Sequence, residues 1–191
     1  MKTAHNLRGH LLIAMPGLDD PNFDHTVTYL LEHNSDGAFG LIVNRPIDLD
    51  MGDILEQLKI TSSDPQLNAQ PVMSGGPVQP ERGFLLHPTD PSELPKWDST
   101  ARFDDGISVT TSPDILTALA NGNGPDDMLF VLGYAGWEAG QLESEIANNA
   151  WLSVEATPQI LFEVPLPDRW DASTRLLGVD PAAISPEAGH A

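Results

Sequence analysis

The chain holds 191 residues, 40% of them apolar, with 28 acidic against 9 basic side chains and no cysteine. That length suits one domain with a core of its own, and the absence of thiols excludes disulfides, thiol nucleophiles, iron–sulfur clusters and thiolate zinc sites. A formal charge of −19, with no run of basic residues, sets the composition against direct nucleic-acid binding and favours basic protein partners or cationic ligands.

No apolar run reaches the ~18 residues of a membrane span. Leu11 to Met15 is apolar, but Pro16 and Gly17 stop it at once. Such a run is too short for a secretory signal, so it reads as a buried strand and the expected compartment is the cytoplasm. Thr26 to His33 alternates, which places Val27, Tyr29 and Leu31 on one face of a strand. Asn34-Ser35-Asp36-Gly37 signals a turn, and Phe39 to Val43 is the returning strand, ended by Pro46. Asp50 then caps a helix whose apolar stripe is Met51, Ile54, Leu55 and Leu58. Residues 61–70 read as loop. Val72 to Ser74 and Gly83 to His87 are short strands around a Gly-Gly-Pro turn, and Pro88 to Arg102, with three prolines, is a long surface excursion suited to a flap.

Ile107 to Thr111 is β-branched and strand-like. Ser112-Pro113-Asp114 starts a helix, with Ser112 as N-cap, and Gly122 closes it. Met128 to Leu132 predicts a buried strand. The glycine-rich stretch after it reads as a junction into a third helix with the stripe Ala139, Leu142, Ile146 and Ala150. Trp151 to Val154 and Ile160 to Glu163 fit either a strand or a short helix. Asp168 caps a last helix that ends at Gly178, and residues 185–191 form a frayed tail. Strands and helices without strict alternation, after an early hairpin, predict an α+β fold: a compact single domain over 1–191 with a mixed, largely antiparallel sheet and about four helices.

Three constellations could carry chemistry. Asn44 and Arg45 end a strand, offering a donor–acceptor pair beside a rigid fork of donors; they fit anion recognition or a structural ion pair. Gly75 and Gly76 could aim successive amides at an oxyanion, or simply make a tight turn; the segment lacks the lysine of a P-loop and the setting of a hydrolase elbow. Gly133-Tyr134-Ala135-Gly136-Trp137-Glu138 lets backbone approach closely, and Tyr134 and Trp137 could stack a ring or pack the core. Asp19, Asp20, Asp24 and His25 match no metal-ligand spacing and read as turn carboxylates.

Several motifs together carry a family resemblance. These are Leu11-Leu12-Ile13-Ala14-Met15-Pro16-Gly17-Leu18, Glu32-His33, Gly37-Ala38-Phe39-Gly40-Leu41-Ile42-Val43-Asn44-Arg45-Pro46 and Ser74-Gly75-Gly76-Pro77-Val78. Gly83-Phe84-Leu85-Leu86-His87, Gly133 to Glu143, Asn149-Ala150-Trp151-Leu152 and Arg169-Trp170 follow in order. The chain resembles the YqgE/AlgH family from Leu11 to about Ile184. The resemblance implies a compact α+β protein of the bacterial cytoplasm; one family name reflects a proposed role in regulating alginate production and gene expression. It supplies no reaction, cofactor or catalytic residue.

These observations predict a non-catalytic regulatory or binding module. Its crevice would be formed by Asn44, Arg45, Gly75, Gly76, Tyr134, Gly136 and Trp137 around a small anionic, nucleotide-like ligand, with any link to gene expression running through a protein partner. No catalytic residue, metal or cofactor is assigned. The alternative is a hydrolase or transferase of a phosphorylated or acylated small molecule, drawing its acids and bases from His33 and His87.

Overall fold

The structure, a computed structural model, describes residues 6–180 except 17, 19 and 22, together with residue 183. The expected tail at 185–191 lies outside them. The opening apolar run is strand β1 (His10–Ala14), and the predicted hairpin is β2 (Val27–Asn34) with β3 (Gly37–Ile42), in register from Asn34 opposite Gly37. Val27, Tyr29 and Leu31 share the inner face as their alternation requires, while Leu30 packs on the other side. Pro46 does not end strand structure. It opens a short strand, β4 (Pro46–Asp50), antiparallel to β5 (Pro71–Ser74).

Asp50 caps α1 (Met51–Gln57) as expected, in a reciprocal pair with Asp53 at 2.9 and 3.0 Å. Met51, Ile54 and Leu55 are buried, but Leu58 falls past the helix end and is half exposed. Within the expected loop, Asp64 caps a single turn of helix, α2 (Pro65–Asn68). Then come β6 (Val78–Pro88), β7 (Thr100–Arg102), β8 (Ile107–Thr110) and α3 (Asp114–Ala120). Ser112 does not cap α3: its hydroxyl donates to Asp114 and accepts the Ser99 amide.

The glycine-rich stretch is a strand throughout, not a strand-to-helix junction. β9 runs from Leu129 to Glu138, and α4 (Gln141–Ala147) starts only after Gly140. From Gly133 to Glu138 odd positions are buried and even ones are not, the period-two signature of a sheet. β10 (Trp151–Glu155), α5 (Pro158–Phe162), a 3-10 turn (Leu166–Asp168) and α6 (Arg169–Leu176) complete the described chain. Asp168 precedes α6, but its carboxylate makes no capping hydrogen bond.

The strands form one sheet in the order β10-β1-β2-β3-β9-β6-β8-β7, with β5 joining β9 in parallel and every other pairing antiparallel. The fold is therefore the expected α+β class. The sheet curls. The Tyr29 hydroxyl on β2 donates to Asp105 in the β7–β8 turn at 2.8 Å, although those strands lie far apart in the ladder. Leu11, Val27 and Tyr29 from one end share a single buried cluster with Phe84, Ile107 and Val109 from the other. Outside this core, α1 and α3 cover β5, β6 and the start of β9, while α4 covers β1, β2 and the end of β9. Trp170 of α6 closes the bottom, its indole N–H donating to the Ala14 carbonyl at 2.9 Å. Among the described residues no helix is long and apolar enough to cross a membrane.

Candidate functional site

Asn44 and Arg45 hold a neighbouring loop. The Asn44 side chain accepts the Val27 amide at 2.9 Å and donates to the His25 carbonyl at 3.0 Å, while Arg45 donates through Nη2 to the Asp24 carbonyl at 3.2 Å. Gly75 is brought beside them, since its carbonyl accepts the Ile42 amide and the Ser74 amide donates to the Arg45 carbonyl. The two adjacent glycines are needed for close packing. A Cβ on Gly75 would stand 2.2 Å from the Gly133 carbonyl oxygen, and one on Gly76 would stand 2.3 Å from the Tyr134 backbone. The Gly75 amide donates to the Leu132 carbonyl at 2.8 Å, so it is not open to an anion.

The other aromatic members do not join them. Tyr134 and Trp137, three apart on β9, leave opposite faces of the sheet. Tyr134 packs inward on Phe39 and Phe84, whereas Trp137 is buried outside against Phe23 and Trp151. Gly136 is exposed opposite Phe39. The seven residues thus divide between a backbone seam and two sheet faces, and none lines the recesses described next.

The recess best furnished for a ligand is the mouth of the curled sheet, about 610 Å³ in volume. Its walls come from the segment before β1, from β2 and β3, and from β6 to β8 opposite. Two of the chain's few cations meet there. The Arg8 guanidinium lies 4.0 Å from the Phe103 ring centre, and Arg82 lies 5.0 Å from that of Phe84 and 5.9 Å from that of Tyr134. Neither fork is engaged by a carboxylate or carbonyl of the described residues. Tyr134 is therefore the one expected residue that serves this recess, from behind. Arg82 and Phe84 were legible as an i, i+2 pair on one strand face; the meeting of Arg8 with Phe103 depends on the curl of the sheet.

His33 forms part of the same mouth and is 5% exposed. Its Nδ1 accepts the Leu7 amide at 3.0 Å, which leaves Nε2–H to donate to Glu143 on α4 at 2.7 Å. The Glu143 carboxyl is held below its ordinary range by its own backbone amide and then by His33. His87 lies elsewhere, in a recess of about 550 Å³ beneath the 88–102 excursion. Its Nδ1–H donates to the Pro88 carbonyl and its Nε2 accepts from the Thr110 hydroxyl at 2.8 Å; burial pushes its pKa down. Trp97 of the excursion sits edge-on to the ring at 5.2 Å. Neither histidine shares a recess with Arg45. Among the described residues no three histidine or carboxylate side chains gather as metal ligands.

Comparison with known proteins places this geometry in a family. A family model described as AlgH-like matches residues 11–182. A UPF0301 protein of Thioalkalivibrio sulfidiphilus is 51% identical over the full length of both chains. One from Nitrosospira multiformis is 50% identical over 97% of this chain and 98% of its own. The solution structure of the AlgH protein from Pseudomonas aeruginosa superposes with a TM-score of 0.78 at 45% identity, covering 100% of this chain and 99% of the other. A Corynebacterium diphtheriae protein, at 20% identity and a TM-score of 0.72 over 92% of this chain and 89% of its own, shares the fold. Matched along almost all of its length, the chain belongs to the AlgH-like family.

Proposed function

We propose that this protein is a non-catalytic binding module whose ligand, a small anion with a planar part such as a nucleotide, sits in the mouth of the curled sheet. One observation carries the reading. On a chain of charge −19, two arginines converge on one recess, each laid over an aromatic ring and neither paired with an acid. Rings hold the guanidinium planes while their N–H edges stay open to a phosphoryl or carboxylate group. Mouths of curled sheets are common ligand sites. The two nitrogens of His33 are both engaged, so no lone pair is left to accept a substrate proton, which favours binding over the hydrolase or transferase alternative. The acidic surface favours a basic protein partner as the reader of ligand occupancy.

Calorimetric titration against nucleotides and simpler phosphates tests the proposal. Arg82→Ala is expected to weaken binding by roughly tenfold to a hundredfold, the worth of a charge-assisted hydrogen bond of ~1.5–3 kcal/mol. Arg45→Ala should leave affinity unchanged. Equal binding by wild type and an Arg8→Ala/Arg82→Ala double variant, or no binding of any anion, would refute it.

A further inference from the structure

The Arg169-Trp170 pair of the family pattern has no part in the mouth of the sheet. Trp170 closes the core, but Arg169 is unusual: it is 6% exposed and has no carboxylate partner among the described residues. Its Nε donates to the Val164 carbonyl at 3.1 Å and its Nη1 to the Val43 carbonyl, while Nη2 donates to no described residue. Burial alone lowers its pKa to about 10, with no neighbouring acid offsetting the loss of water. Buried charges are ordinarily paired, and a chain with 28 acids had every opportunity to supply a partner.

Arg169 lines a cavity of about 120 Å³ at the base of the fold, walled by Gln70, Met73, Met128, Phe162 and Leu166. At ~30 Å³ for each water of the liquid, this is room for about four waters, too small for a nucleotide and sufficient for one oxyanion group. Asp126 and Asp127 also line it; both are solvent-exposed, so water weakens their repulsion without abolishing it, and the affinity expected of the site is modest. We infer that this cavity is a second binding site, distinct from the mouth, in which Arg169 receives a single oxyanion group, phosphoryl or carboxylate. The guanidinium is already held by two carbonyls, so its free Nη2 edge is fixed in place before the ion arrives. Such an anion supplies the direct ion-pair partner that no described carboxylate provides.

Nuclear magnetic resonance of the Arg169 side-chain N–H signals, on the whole chain, is the direct test. Inorganic phosphate and acetate are each titrated at constant ionic strength against a chloride control. Saturable movement of the Arg169 signals by phosphate alone identifies a phosphoryl site; by acetate alone or by both, a site that accepts carboxylate. The Arg8→Ala/Arg82→Ala double variant should respond like wild type, whatever becomes of the mouth reading. Gln70→Glu, at the exposed rim, should keep the fold and weaken the response about tenfold, the loss expected of a like charge a few ångströms from the ion. Movement no greater than that caused by chloride would overturn the inference, because the cavity would then hold only water. An unaltered response in Gln70→Glu would overturn it too, by placing the bound ion elsewhere.

Discussion

Protonating His87 would require its Nε2 to become a donor where the Thr110 hydroxyl already donates, at a residue only 4% exposed. Unfolding returns the imidazole to its ordinary value of 6.5. Below that pH the unfolded chain binds a proton that the native chain refuses, so stability falls on acidification by up to ~1.4 kcal/mol per pH unit. Asp105 acts in the opposite sense. Burial raises its carboxyl, so the native chain holds the extra proton there, and that contribution is lost as pH rises through the raised value. Comparing denaturant midpoints of wild type and His87→Gln between about pH 5 and 7 isolates the histidine. The variant should give the flatter profile, and parallel profiles would show that some other group is responsible. Residue chemistry was only partly legible in sequence. Arg45 stood out because cations are scarce, but a guanidinium at a strand end does not reveal whether carbonyls or a ligand will meet it. The same scarcity applied to Arg8, Arg82 and Arg169, whose surroundings are set by residues distant in the chain.

At the scale of elements, the seam between β5 and β9 explains two motifs at once. Gly75 and Gly76 are small because the Gly133–Tyr134 backbone passes where their side chains would be. Gly75→Ala should therefore cost about 3 kcal/mol, the upper end of ordinary overpacking, because the obstacle is backbone and cannot rotate away. Gly122→Ala, at a position with open space around it but φ of +76°, serves as a milder control in the same urea titration. Equal losses in the two variants would mean that the seam gives way to a methyl group and that crowding does not govern Gly75. The first hairpin and the Asp50 cap were legible because alternation, turn residues and capping chemistry are local. β9 was misread because three glycines resemble a loop, although the alternation of Ala135 and Trp137 with exposed neighbours is strand-like. β4, joined to the sheet only through β5, alternates Ile47 and Leu49 with Asp48 and Asp50, but over five residues behind Pro46 that signal is too short to stand out.

Considered whole, the molecule stacks twenty-eight acids against nine bases around a curled sheet, and their mutual repulsion opposes compactness. Added sodium chloride should raise the unfolding temperature, most steeply up to about 0.15 M, where the screening length is already ~8 Å. A temperature that fell or stayed level over that range would show that pairing, not repulsion, dominates the surface. The α+β class followed from element order and the early hairpin. The curl did not, because it depends on contacts such as Tyr29 with Asp105 that no local pattern announces.

The central position of β9 bears on how the chain is made. Residues 129–138 pair with β3, β5 and β6, so no strand pairing joins the first hairpin to β6, β7 and β8 until that stretch is available. During synthesis everything upstream leaves the ribosome with open strand edges, exposed to wrong partners until late in translation. A nascent chain halted before Leu129 is thus a natural client for a chaperone, and the last third of the protein decides whether the first two thirds become a sheet.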